Sequence, residues 1–169
     1  TAGTPAPGNG GGLHISGAGN TTVIDCMVDG NAAALEGGGL WNGAGTMTVS
    51  GGTISNNTAA GAAATEGGGG LFNAGGTLNV DGATISANTA TGTAGSGGGI
   101  LNDMGVLTVT NTTISDNTSV RAGGGIEDNS VAGNTLTLTS VTLDNNSTAS
   151  APGNGGGLHI SGAGDSNIG

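Results

Sequence analysis

The chain reads as an all-β protein, a parallel β-helix or solenoid of about five coils of 26–32 residues plus a partial sixth. Three observations give that reading. A glycine triplet followed by Leu or Ile returns six times, with the apolar residue at Leu13, Leu40, Leu71, Ile100, Ile126 and Leu158, at spacings of 27, 31, 29, 26 and 32 residues. Each full coil then carries an eleven-residue block that aligns without a gap: Thr21–Asn31 (TTVIDCMVDGN), Met47–Asn57 (MTVSGGTISNN), Leu78–Asn88 (LNVDGATISAN), Leu107–Asn117 (LTVTNTTISDN) and Leu136–Asn146 (LTLTSVTLDNN). Inside the block, apolar and polar residues alternate with period two, as in strands with one buried face.

The elements follow in order. Residues 1–169 form one segment, with coils starting near residues 10, 37, 68, 97, 123 and 155. Each coil opens on its glycine triplet, read as a corner that needs positive φ and close backbone approach. A phosphate-cradling loop is excluded because the chain has no Lys. One short strand follows the glycines, a second lies in the Thr-Leu-Thr-Val-Thr segment, and a third in Thr-Thr-Ile-Ser, giving three faces. Met47, Val49 and Ile54, with their equivalents in later coils, point inward. Helix is excluded by the glycines and β-branched residues, since Gly costs about 1 kcal/mol per helical site relative to Ala. Strands stacked about 4.8 Å apart enclose a narrow core, and no single coil buries its own apolar face. Length varies only after the block, as in Thr58–Glu66 and Ser147–Asn154, where loops on a corner are expected. Every block ends in apolar-x-x-Asn, which puts Asn31, Asn57, Asn88, Asn117 and Asn146 in one column. Stacked amides bond from coil to coil and to turn backbone.

Paired GGG[LI] and [FILV]xxN motifs, running from Gly10 to Gly169, resemble the repeats of the choice-of-anchor surface proteins of bacteria and of the polymorphic outer-membrane proteins. The resemblance implies a right-handed parallel β-helix, secreted or displayed on a cell surface, often as an adhesin. Val28, Ile54, Ile85, Ile114 and Leu143 stand where the outer-membrane branch usually has Phe, which favours the general surface-protein branch.

Composition narrows the function. One Arg, no Lys and 11 acidic residues give a net charge of −10, so nucleic acid and anionic membrane are not expected as partners. No apolar run approaches the ~18 residues of a membrane span. Only 7% of residues are charged and aromatics are nearly absent, which disfavours an enzyme and a deep ligand pocket. No cofactor is expected; Ca²⁺ held by loop acids is the one alternative. The sole cysteine, Cys26, lies on an inward column and is read as a buried, inert thiol. The chain has neither an initiator Met nor a basic leader, as a mature secreted product or an excised segment would. The scarcity of Lys and Arg fits an extracellular setting.

A longer repeat overlies the coils. Ala6–Gly19 (APGNGGGLHISGAG) returns letter for letter at Ala151–Gly164, 145 residues or five coils on. Neither end carries a convincing cap, and the expected partner is the chain itself, head to tail. Two surfaces are candidate contacts. Thr46, Thr48, Thr108, Thr110, Thr135, Thr137 and Thr139 point outward from the second strand, a lattice like that of ice-binding solenoids. Trp41, Phe72 and Leu101 follow the glycines and are expected outward, as a lateral contact or glycan platform, unless a loop such as Thr58–Glu66 folds over them. Carboxylates scatter; Asp103 and Asp128, in neighbouring coils, are the nearest to the pair a pectate-lyase-like or glycosidase site requires, with Arg121 the only cation. His14 and His159 are equivalent and lie ~24 Å apart by strand spacing. The reading is an extracellular structural repeat protein, a filament subunit or adhesin stalk, with ice binding and a carbohydrate-binding or carbohydrate-active β-helix as alternatives.

Overall fold

The computed structural model describes residues 8–150 and 154–169. The first coil contains β1 (Leu13–Ile15), β2 (Asn20–Ile24), β3 (Met27–Asp29) and β4 (Ala32–Ala33), and the second β5 (Leu40–Asn42), β6 (Thr46–Ser50), β7 (Thr53–Ser55) and β8 (Thr58–Ala59). The third has β9 (Leu71–Ala74), β10 (Thr77–Asp81), β11 (Thr84–Ser86) and β12 (Thr89–Ala90). The fourth has β13 (Ile100–Asp103), β14 (Val106–Thr110), β15 (Thr113–Ser115) and β16 (Thr118–Ser119). The fifth has β17 (Ile126–Asn129), β18 (Thr135–Thr139), β19 (Thr142–Asp144) and β20 (Ser147–Thr148), and the sixth β21 (Leu158–Ile160) and β22 (Asp165–Ile168). Equivalent strands pair in parallel, coil upon coil, into two six-stranded and two five-stranded sheets. The molecule is an all-β solenoid, with no helix among the described residues.

Its core follows the alternation. Met47, Leu78, Leu107 and Leu136 form one inward column, Val49, Val80, Val109 and Leu138 a second, and Ile54, Ile85 and Ile114 a third. All are buried and belong to one apolar cluster with Leu40, Leu71, Ile100 and Ile126. Each fully buried Leu or Ile removes enough apolar area from water to contribute about 2 kcal/mol.

The glycine corners have a division of labour. The first of each triplet takes positive φ, as at Gly97 (64°). In the first five coils the other two are hemmed in by the glycine backbone of the next coil and by the Asn or the short fourth-sheet strand of their own coil. A Cβ on Gly98 would sit 2.6 Å from the Thr118 backbone on one side and against Gly124 O on the other.

Two expectations are corrected. A fourth sheet exists where loop was expected: the two-residue strands after the Asn column pair from coil to coil, Ala33, Ala59 and Ala90 facing in. Such strands are too short to show a period, and they form because the Asn before each one fixes its register; Thr89 N–H, for example, donates to Asn57 O at 2.9 Å. Cys26 is exposed, not buried. Its column is inward, since Ala83 and Thr112 in the same register are buried. It occurs, however, in the first coil, over which no described residue lies, and its thiol donates only to Ile24 O at 3.2 Å.

Candidate functional site

The organised polar chemistry of this protein runs along the solenoid axis. Asn31, Asn57, Asn88, Asn117 and Asn146 stand in one column directly after the third sheet. The side chain of Asn57 donates to Asn88 Oδ1 at 2.9 Å and to Val28 O at 2.9 Å, while its backbone N–H donates to the same Oδ1 at 3.0 Å. Asn88 repeats this with Asn117 Oδ1 and Ile54 O, and Asn117 with Asn146 Oδ1 and Ile85 O. Each amide therefore ties three coils, and the three central ones are fully buried.

A second amide ladder, absent from the sequence reading, lies at the corner between the first and second sheets. Asn42 Nδ2 donates to Asn73 Oδ1 at 2.7 Å, Asn73 Nδ2 to Asn102 Oδ1 at 2.7 Å, and Asn102 Nδ2 to Asp128 Oδ1 at 2.6 Å. Ser130 Oγ donates to the other carboxylate oxygen, Oδ2, at 2.7 Å. The signal was available, since alternation from inward Leu40 makes Asn42 inward too. The first coil breaks the ladder: Ile15 pairs with Asn42, whose Oδ1 is buried without a donor.

The candidate lateral platform is corrected. Phe72 and Leu101 are buried and Trp41 is half-buried. They do lie on the outer side of the first sheet, but the segments leading into the glycines fold back over it. Glu36 Oε2 accepts from Trp41 Nε1 at 2.9 Å, and Arg121 Nη1 reaches to 3.8 Å from Glu127 Oε1. His14 stacks on Trp41 with ring centroids 4.3 Å apart, and Trp41 continues to Phe72 at 6.4 Å. Further along the column, the buried Glu127 carboxylate meets His159 Nδ1 at 2.8 Å and accepts from Ser161 Oγ at 2.7 Å.

Asp103 and Asp128 are not a pair. Adjacent coils match Asp128 with Asn102 and Asp103 with Asn129, so the two carboxylates leave opposite faces of the sheet. Four outward acids act as acceptors for amides one coil on: Asp29 for Asn56 at 2.7 Å, Asp81 for Asn111 at 2.9 Å, the part-buried Asp103 for Asn129 at 2.6 Å, and Asp116 for Asn145. Hydrogen bonds from Asn56 and Ser55 hold the Asp29 carboxyl below its ordinary range, and those from Thr110 and Asn111 do the same for Asp81. Burial pushes Glu36 up, against the bond from Trp41, and pushes Asp103 up, against the bond from Asn129. Among the described residues no three His, Cys, Asp or Glu side chains gather as a metal site.

Thr46, Thr48, Thr108, Thr110, Thr135, Thr137 and Thr139 all leave the outer face of the second sheet, in register across coils. Asn79, Asp81 and Val106 interrupt them, and the Thr110 hydroxyl donates to Asp81 Oδ1 at 2.6 Å. The third sheet carries a more regular hydroxyl array, which the sequence reading passed over: Thr53, Thr84, Thr113 and Thr142 in one column, with Ser55, Ser86 and Ser115 beside it. The repeated Thr-Ile-Ser was its signal.

No helix among the described residues is long and apolar enough to cross a membrane. No family model, curated protein or solved structure matches the chain.

Proposed function

We propose that this chain is a non-catalytic structural element of an extracellular filament or surface stalk, a rod whose task is to hold length and stiffness. The observation that carries the reading is the longer repeat in its structural setting. Leu158–Ile160 occupies the same sheet as Leu13–Ile15, five coils on, with the same letters around it. The part of this repeat outside the described residues is limited to Ala6, Pro7 and 151–153. A stack that returns to its starting sequence after a whole number of coils is suited to continuing in register. The inward amides and buried carboxylates are engaged between coils, leaving little convergent chemistry for turnover, and the resemblance to bacterial surface repeats supports display outside the cell. On the second sheet a hydroxyl lattice for ice binding would need continuity that Asn79, Asp81 and Val106 break.

Antibodies raised against the folded chain are expected to label intact, unpermeabilised source cells or material they release. Labelling only after permeabilisation would contradict the extracellular part of the reading.

A further inference from the structure

The outer face of the third sheet is a grid of hydroxyls that a purely mechanical role leaves unused. Across β7, β11, β15 and β19, Thr53, Thr84, Thr113 and Thr142 stand in one file, with Ser55, Ser86 and Ser115 in a second. Parallel pairing sets successive coils ~4.8 Å apart, and two residues of strand set the files ~6.7 Å apart. The grid has hydroxyls at every point except the last of the second file, where Asp144 stands.

Four properties set this face apart from the Thr columns of the second sheet. Its hydroxyls are uncommitted: among the described residues only Ser55 is engaged, donating to Asp29, whereas on the second sheet Thr110 donates to Asp81. It is stiff, because Ile54, Ile85 and Ile114, between the two files, are buried in the core, and Thr, branched at Cβ, has few χ1 choices. It is unobstructed, since the turns at both edges lie inside the gapless eleven-residue block and keep one length in every coil. It is also uncharged: in a chain of net charge −10, the strands β7, β11 and β15 carry no ionisable residue. Asp29 and Asp144 stand only at the two ends of the second file.

A ligand for such a face is uncharged, bonds to hydroxyls and repeats with the same two periods. We infer that the ligand is ice, bound through the Thr and Ser hydroxyls of β7, β11, β15 and β19. Both spacings are close to repeats of the oxygen positions on a prism face of hexagonal ice. One exposed hydroxyl gains little by exchanging liquid water for another partner. Several held in register engage a solid together, and a stiff face has little freedom left to lose on binding. A crystalline polysaccharide also repeats, but sites for organic ligands are lined mainly by apolar and aromatic side chains. The two aromatic residues of this chain, Trp41 and Phe72, lie on the first sheet, with Phe72 buried. A rod of any mechanical role can carry an ice-binding face along one side.

Partition into slowly growing ice tests this on the full chain. The parent is expected to be taken up into the ice, as is Thr108→Tyr, whose ring stands on the outer face of the second sheet. Thr84 is exposed on the third sheet, and Tyr is a good strand former, so Thr84→Tyr is expected to keep the circular dichroism and melting temperature of the parent. Its ring holds the neighbouring hydroxyls off the ice, so the loss is of the joint contact, and uptake is expected to fall about tenfold or more. Thr113→Tyr repeats the test one coil on. A parent chain excluded from ice would overturn the proposal, as would equal losses in Thr84→Tyr and Thr108→Tyr. Retention on microcrystalline chitin or cellulose with exclusion from ice would overturn it too, and would assign the face to a polysaccharide.

Discussion

Replacing Asn88 by Ala is expected to lower the unfolding free energy by at least about 3 kcal/mol. Asn88 is at the centre of its ladder. Its Oδ1 accepts from the Asn57 backbone and side chain, and its Nδ2 donates to Asn117 Oδ1 and Ile54 O. Truncation leaves the Asn57 N–H and the Ile54 carbonyl in a fully buried site without those partners. Each orphaned buried group costs about 1–3 kcal/mol, and the lost volume adds a cavity term. Denaturant unfolding of the variant against the parent measures it, and a loss under about 1 kcal/mol would mean that the ladder is a by-product of the stack.

Gly98→Ala is expected to cost about as much, for a different reason. A methyl group there meets the Thr118 backbone of its own coil at 2.6 Å and Gly124 O of the next, so both that strand and the next coil must shift to admit it. Overpacking against side chains costs about 1–3 kcal/mol, and here the obstacles are backbone atoms that cannot change rotamer. Gly82→Ala is the control. Gly82 has φ of 65° with nothing near its would-be Cβ, and Asn111 and Ser140 adopt the same conformation in later coils. Its cost is therefore the left-handed backbone alone, about 1 kcal/mol. Thermal melts of the two variants are expected to rank Gly98→Ala well below Gly82→Ala.

What could be read from the sequence depended on whether a feature was local. Met47, Leu78 and Leu107 were placed inward by period-two alternation, and the gapless eleven-residue block put the Asn column into register, because both depend only on residues within one block. Asn42, Asn73 and Asn102 obey the same alternation, but the ladder they form ends on Asp128 and starts against Ile15, so its letter repeats in three coils only, where the Asn31 column repeats in five. Trp41, Phe72 and Leu101 were correctly placed on the outer side of a sheet. Their burial is set by segments such as those holding Glu36 and Arg121, whose lengths vary from coil to coil and whose path alternation does not describe. Cys26 shows a third limit. Its column is inward, but exposure there is decided by what lies over the first coil, a property of the stack and not of the block.

The central claim is that 145 residues form a unit designed to be stacked, and the most direct measurement is the length of a doubled chain. A chain in which the unit Asn9–Gly153 occurs twice before residues 154–169 should scatter X-rays as a single rod, longer than the parent by ~24 Å, five strand spacings, and should unfold in one transition. Two independent units joined flexibly, with two transitions and no defined increment in length, would contradict it.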